Sequence, residues 1–310
     1  MLIADDWKKT LLFLYQGRIG IDIVKRIHEV GGRFWGGYWL TSFTLNRSRN
    51  IFIRILRRVL YVIIGKLISG WIKWVGSENI ISYGYETIFC STKFLDAGCY
   101  FSVLEDGEST YLERLEAETR WSSIDGVNVS QKYLPGGWSE AVDEVILTGR
   151  KKIPVGLEKK VRLVDLEELW SKCSEEKREE IIHIFQFDFY YWKKIISEGR
   201  DIVLLTTNHF VHGITSDGCI ALYNEILSHY DRTRVIIKPH PTDFIDYEHL
   251  FPDCLVIRQT FPFEMCRFSK LKLKKIVGVK STALYGIWPE NMVDDYTELL
   301  EKYKQPTMNK

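Results

Sequence analysis

The apolar positions in the second half of the chain fall into short uninterrupted runs, separated by longer amphipathic stretches. The runs at 202–205, 234–237 and 275–279 read as strands buried on both faces. The stretches at 219–230 and 262–268, and a helix start at 282–286, read as helices. Strand–helix alternation of this kind predicts a parallel, doubly wound sheet of the α/β class. Right-handed crossovers then bring all the strand carboxyl ends to one edge. The first half is less regular. It predicts short strands at 80–83, 100–104 and 145–147, a Ser-, Gly-, Asn- and Asp-rich loop at 121–137, and a turn at 148–152. Beyond Pro154 the chain enters a charged helical stretch at 171–197. The expected organisation is two domains, 1–155 and 156–310.

One further stretch, 51–75, is strongly apolar but broken by Arg54, Arg57, Arg58, Lys66 and Lys73, with Arg47 and Arg49 ahead of it. No uninterrupted apolar run reaches the roughly 18 residues of a spanning helix. The stretch reads as a basic, apolar helix pair packed on a sheet. A basic amphipathic face is also drawn to anionic lipid, so residues 47–75 are a candidate peripheral membrane contact. The start of the chain shows no signal peptide.

A formal net charge of +1 over 310 residues argues against a nucleic-acid binder, so a charged partner must be met by a local patch. The six cysteines form neither a CxxC pair nor a disulfide framework, which points to reduced cytosolic thiols. His209 and His212 lie three apart with no Cys or carboxylate set to complete a zinc site, and read as loop or lining residues.

The chemistry concentrates at 238–241. Lys238-Pro239-His240-Pro241 follows the apolar run Val235-Ile236-Ile237. The prolines forbid helix and stop the ladder, which holds Lys238 and His240 at the strand's carboxyl end. Open α/β sheets bind ligands at that edge, and a cation beside an imidazole suits a phosphate-bearing ligand. Ser281-Thr282 follows the next strand, where hydroxyls and free amides make either a helix cap or an anion site. Glu264, at an expected helix start, is either dipole-favoured or an acceptor for ribose hydroxyls. Two acidic turns, Glu105-Asp106-Gly107 and Ser216-Asp217-Gly218, compete as the source of a catalytic base.

In this order and spacing, Lys238-Pro239-His240-Pro241, Pro262-Phe263-Glu264 and Ser281-Thr282-Ala283-Leu284 resemble the bacterial sialyltransferases of glycosyltransferase family 52. Glu105-Asp106-Gly107 and His240-Pro241 are similar to the acidic and His-Pro motifs of several bacterial sialyltransferase families. The likeness is best over 201–288 and thinner over 80–170. A His-Pro segment also occurs in teichoic-acid polyol-phosphate transferases, so another phosphate-donor transferase and a non-catalytic remnant of the same fold are the competing readings. The resemblance implies a GT-B fold of two Rossmann-like domains facing a cleft, with an N-terminal acceptor domain and a C-terminal donor domain. It implies CMP-sialic acid as donor, inversion at the anomeric carbon, and neither metal nor cofactor. The acceptor would be a galactose-type hydroxyl of a bacterial surface glycan, capsule or lipooligosaccharide, lipid-linked and met in the cytoplasm at the inner membrane face, by a homodimer. Carried onto this chain, His240 contacts the CMP phosphate and acts as, or assists, the general acid. Lys238 adds charge stabilisation, Ser281 and Thr282 hold the phosphate, Glu264 holds the ribose, Pro241 joins the donor-binding residues, and Asp106 or Asp217 is the base. The family usually opens one strand and helix before the segment that Met1–Asp6 resembles, so the first domain is expected to lack a strand.

Overall fold

The structure is a computed structural model that describes residues 11–12, 21–31, 33–34, 51–86, 89–105, 107–122, 132–207, 212–241 and 243–304. The chain separates into two compact units, Met1–Cys173 and Ser174–Lys310. The division falls later than residue 155 because a strand at Val161–Leu163 pairs with Glu144–Leu147 and so stays with the first unit.

The first unit runs β1 (Leu11–Leu12), α1 (Ile21–Glu29), β2 (Arg33–Phe34), α2 (Ile51–Val75), β3 (Ile81–Gly84), α3 (Phe89–Asp96), β4 (Tyr100–Leu104), α4 (Arg114–Ser122), β5 (Glu144–Leu147), β6 (Val161–Leu163) and α5 (Leu166–Lys172). Strands β3 to β6 form one sheet in chain order, every pair parallel, while β1 and β2 pair separately. The stretch expected to be a helix pair is instead one 25-residue helix, α2. Its Ile64, Ile68 and Ile72 recur every fourth position and enter a core with Phe94, Phe101, Val103, Val145 and Leu147. That continuous packing offsets the roughly 1 kcal/mol that each internal glycine, Gly65 and Gly70, costs a helix. The opposite side of α2 exposes Val59, Ile63, Leu67 and Trp74 beside Lys66 and Lys73. Among the described residues no helix is long and apolar enough to cross a membrane.

The second unit runs α6 (Glu175–Phe185), α7 (Phe189–Ser197), β7 (Ile202–Leu205), α8 (Ser216–Leu227), β8 (Val235–Lys238), α9 (Tyr247–Leu250), β9 (Leu255–Val256), α10 (Glu264–Phe268), β10 (Lys275–Gly278), β11 (Val293–Asp295) and α11 (Leu300–Tyr303). Its sheet is wholly parallel in the order β9-β8-β7-β10-β11. The chain therefore works outward from β7 to β9, then returns and works outward on the other side from β10. The direction reverses between β7 and β10, and open α/β sheets take ligands outside the carboxyl ends at such a reversal. The expected strands at 202–205, 234–237 and 275–279 are β7, β8 and β10 to within a residue. Strands β6, β9 and β11, of two or three residues each, are too short to leave a period in the sequence.

Helix starts follow local chemistry. Ser174, Asp188 and Thr215 each accept a backbone N–H from the first turn of α6, α7 and α8. Val235 and Ile237 of β8 bury against Leu222, Tyr223 and Ile226 of α8. This packing fixes α8, and so its first turn, on the carboxyl edge of the sheet.

Candidate active site

Three strand ends supply the polar groups of this edge. Thr206 and Thr207 follow β7, Pro239, His240 and Pro241 follow Lys238 at the end of β8, and Lys280, Ser281 and Thr282 follow β10. Strands β8 and β10 both flank β7. With about 4.8 Å between neighbours, the ends of β8 and β10 stand roughly 10 Å apart, with the two threonines between them.

Lys238 is the last residue of a strand buried throughout. Side chains alternate across a strand, so Lys238 faces away from the side on which Ile237 meets α8. Its Nζ sits 4.5 Å from the centre of the Phe261 ring, a cation–π contact. Lys238 is 7% exposed, and among the described residues its ammonium makes neither a hydrogen bond nor an ion pair. Burial holds its pKa below the usual lysine value, opposed by the nearby Cys266 and Glu264. Such a group favours an incoming anion, which supplies the missing partner.

His240 is half-buried. Its backbone N–H donates to Thr206 Oγ1 at 2.9 Å, and its carbonyl accepts from the Asp243 N–H at 2.8 Å. The Thr206 hydroxyl donates to Asp243 Oδ2 at 2.7 Å. Thr207 donates its N–H to the Tyr223 hydroxyl at 2.9 Å, and its Oγ1 lies 3.0 Å from His212 Nε2. His212 therefore lines the end of β7, while His209 lies outside the described residues. Pro241 is exposed. Lacking an N–H, as Pro239 does, it leaves His240 as the backbone donor between the two prolines.

The loop after β10 departs from expectation. No long helix begins at Thr282; the segment Thr282–Leu284 is a single 3-10 turn. Ser281 precedes it but makes no capping bond, and its hydroxyl is unengaged among the described residues. The turn lacks the length for a useful dipole, so an anion here would be held by hydroxyls and amides. Lys280 adopts φ 48°, the left-handed region that a non-glycine residue enters only when held there. Its N–H donates to Thr297 Oγ1 at 2.8 Å, and Thr297 is fixed in turn by Asp295. Gly278 lets the turn pack close, since a Cβ there would meet Leu284 Cδ2 at 3.2 Å and the Leu205 carbonyl at 3.3 Å.

Asp217 is the second residue of α8, exposed and without a hydrogen bond or ion pair among the described residues. Glu264 is the first residue of the short α10, half-buried and close enough to act on the charge of Lys238. Six of the eight candidate residues (Lys238, His240, Pro241, Ser281, Thr282 and Asp217) thus belong to one edge of one sheet, and Glu264 joins them through Lys238. Asp106 lies outside the described residues. Its neighbour Glu105 is internally bonded: Oε2 accepts from the Tyr111 hydroxyl at 3.0 Å, the Thr148 N–H at 2.6 Å and the Thr148 hydroxyl at 2.7 Å.

Thr206, Thr207 and Asp243 were not expected from the sequence. The threonines follow the apolar run of β7 as Lys238 ends that of β8, so the same edge rule would have found them. Asp243 gives no such signal. Among the described residues no group of three or more His, Cys, Asp and Glu side chains is placed to hold a metal ion.

Comparison with known proteins adds a family. The model of glycosyltransferase family 52 matches residues 85–294, a span that includes every candidate residue above. An uncharacterized protein of Haemophilus influenzae (strain ATCC 51907 / DSM 11121 / KW20 / Rd) is 28% identical over 222 residues, covering 71% of this chain and 69% of that protein. Among solved structures, the α/β-galactoside α-2,3-sialyltransferase of the luminous marine bacterium Photobacterium phosphoreum is similar with a TM-score of 0.51. It is 12% identical and covers 92% of this chain and 81% of that one. The 2,6-sialyltransferase of Photobacterium sp. JT-ISH-224, solved with CMP and lactose, is similar with a TM-score of 0.57. It is 11% identical and covers 87% of this chain and 62% of that one. At these identities the likeness is one of fold, and that fold is the GT-B class.

Proposed function

The chain belongs to glycosyltransferase family 52, and from that premise we propose that it moves sialic acid from CMP-sialic acid to a galactose-type hydroxyl of a bacterial surface glycan. The observation that carries this reading is the buried Lys238 cation, without a hydrogen bond or ion pair among the described residues, two positions before His240 on the ligand-binding edge of the second unit. The solved neighbours are sialyltransferases, one of them held with CMP and lactose, which supports the same donor and acceptor classes here.

In the proposed reaction the single phosphate of the donor lies between the ends of β8 and β10. Lys238 and the hydroxyls of Ser281 and Thr282 take its charge, and Glu264 accepts from the ribose hydroxyls. The bond between the anomeric carbon and the phosphate oxygen breaks through an oxocarbenium-like state, as in glycoside cleavage. His240 gives a proton to the departing phosphate oxygen. Asp217 takes the proton of the acceptor hydroxyl, which attacks the opposite face and inverts the centre. Asp217 is preferred to Asp106 because it stands exposed, and unengaged among the described residues, on the same edge as His240. Fixed cations and hydroxyls balance one phosphate, so the reaction proceeds without a metal ion.

The acceptor is proposed to be lipid-linked. The outward side of α2 supports this, with Ile63, Leu67 and the 83% exposed Trp74 beside Lys66 and Lys73, an apolar face with cations suited to anionic lipid.

Calorimetric titration with CMP, with CDP and UDP as controls, tests the donor. Selective CMP binding that His240→Ala weakens supports the reading, and a folded chain that binds no nucleotide overturns it. Transfer that EDTA abolishes and magnesium restores would overturn metal independence. Loss of sedimentation with phosphatidylglycerol vesicles in Trp74→Glu tests the membrane contact, and a parent chain that does not sediment removes it.

A further inference from the structure

We propose that Thr206 and Asp243 are positioning residues for His240, acting through the backbone of the His-Pro turn without touching substrate. The proposal rests on the role given to His240 above. Pro239 and Pro241 carry no N–H, so within Pro239-His240-Pro241 only the amide of His240 can donate. That amide donates to Thr206 Oγ1 at 2.9 Å. A hydroxyl has one proton, and an oxygen that accepts here must send its own proton elsewhere. Thr206 sends it to Asp243 Oδ2 at 2.7 Å.

Asp243 is in turn held on every side. Its Oδ2 also accepts from the Tyr247 hydroxyl at 2.6 Å, its Oδ1 accepts from the Ile245 N–H at 3.1 Å, and its own N–H donates to the His240 carbonyl at 2.8 Å. The same Thr–Asp pair therefore brackets His240 at both its N–H and its carbonyl. Thr206, Asp243 and Tyr247 are 3%, 5% and 0% exposed, so water does not compete for these bonds. Burial pushes the Tyr247 phenol far above its usual pKa, which keeps it a donor. The carboxylate fixes the direction of the hydroxyl proton. The hydroxyl then fixes the histidine at the edge where β7 and β8 end, and where the Thr206 N–H also meets the Lys238 carbonyl at 3.3 Å.

The test compares Thr206→Val, which keeps shape and loses the hydroxyl, with Thr206→Ser, which keeps the hydroxyl. Asp243→Asn is a third variant, and the two Thr206 variants keep the test decisive if it does not fold. Amide exchange of His240 is read in the ligand-free chain, and release of CMP from CMP-sialic acid gives kcat and the donor KM. Thr206→Val is expected to speed exchange of that amide about tenfold or more. It should lower kcat about tenfold to a hundredfold with donor KM changed less than about threefold. Thr206→Ser should restore both. Unchanged kcat and exchange in Thr206→Val, or a serine variant as impaired as the valine one, would overturn the proposal. His240→Ala, run alongside, separates the two claims. If it abolishes turnover while Thr206→Val does not, only the positioning role falls. If it leaves turnover intact, the catalytic reading of His240 falls.

Discussion

The two units carry parallel sheets of opposite character. In the second, β7 and β8 are buried along their whole lengths, on both faces. In the first, burial is incomplete: β3 alternates, with Ile81 and Tyr83 exposed and Ser82 covered, and β4 exposes Tyr100 while covering Phe101, Ser102 and Val103. Their carboxyl edges differ in a matching way. On the first sheet the polar groups at the ends of β4 and β5 satisfy one another, with Glu105 taking three donors from Tyr111 and Thr148. On the second, the Lys238 ammonium has neither a hydrogen bond nor an ion pair among the described residues, and the Ser281 hydroxyl has no hydrogen bond among them. Polar residues at strand ends are common to both sheets. What separates a structural edge from a candidate active site is whether its polar groups are already bonded.

The largest expected effect lies on the open edge. His240→Ala and Asp217→Asn should each lower kcat for sialyl transfer by about 10² or more. Asp217→Asn should retain CMP binding by calorimetry. Asp106→Asn measured in parallel sharpens the comparison, since a larger loss there would return the base to the first unit. On the closed edge the expectation reverses. Glu105→Gln should leave kcat within about threefold but lower stability by about 1–3 kcal/mol, read from denaturant unfolding, because it breaks a buried network. A large loss of turnover with unchanged stability would erase the contrast between the edges.

Lys238→Met sharpens it in both directions. Removing a buried cation that has no hydrogen bond or ion pair among the described residues should raise the stability of the ligand-free chain by about 1 kcal/mol, a rise in Tm of about 2–4 °C. The same change should weaken CMP about tenfold or more. The sign with pH follows from the lowered lysine pKa. The unfolded chain holds the proton to higher pH than the folded one, so ligand-free stability rises with pH above the folded pKa. CMP affinity falls over the same range as the cation is lost. The smallest effect belongs to the exposed face of the first sheet, where Ile81→Thr should change stability by less than about 0.5 kcal/mol. Ile236→Ala in the doubly buried β8 should cost about 2–5 kcal/mol by the same measurement.

Much of the second unit was legible in the sequence. Apolar runs fixed three strands to within a residue, and the prolines of Lys238-Pro239-His240-Pro241 placed the strand end. The first unit was less so. Its helix α2 reads as two because Arg and Lys residues interrupt the apolar stretch, and packing of Ile64, Ile68 and Ile72 decided the matter. Ser281-Thr282 reads as either a helix cap or an anion site, and the structure shows a short turn that Ser281 does not cap.

The sequence by itself determined where the strands of four or five residues lie, to within a residue, and which chemistry follows them, because burial period and proline act within a few residues. Tertiary structure alone decided what those residues do. It set the order β9-β8-β7-β10-β11, which places the reversal over Thr206 and Thr207. It joined Thr206 to Asp243 across 37 positions and Glu105 to Thr148 across 43. Bonds between distant segments form only when both segments bury their apolar faces against common neighbours, and that condition leaves no local mark on either.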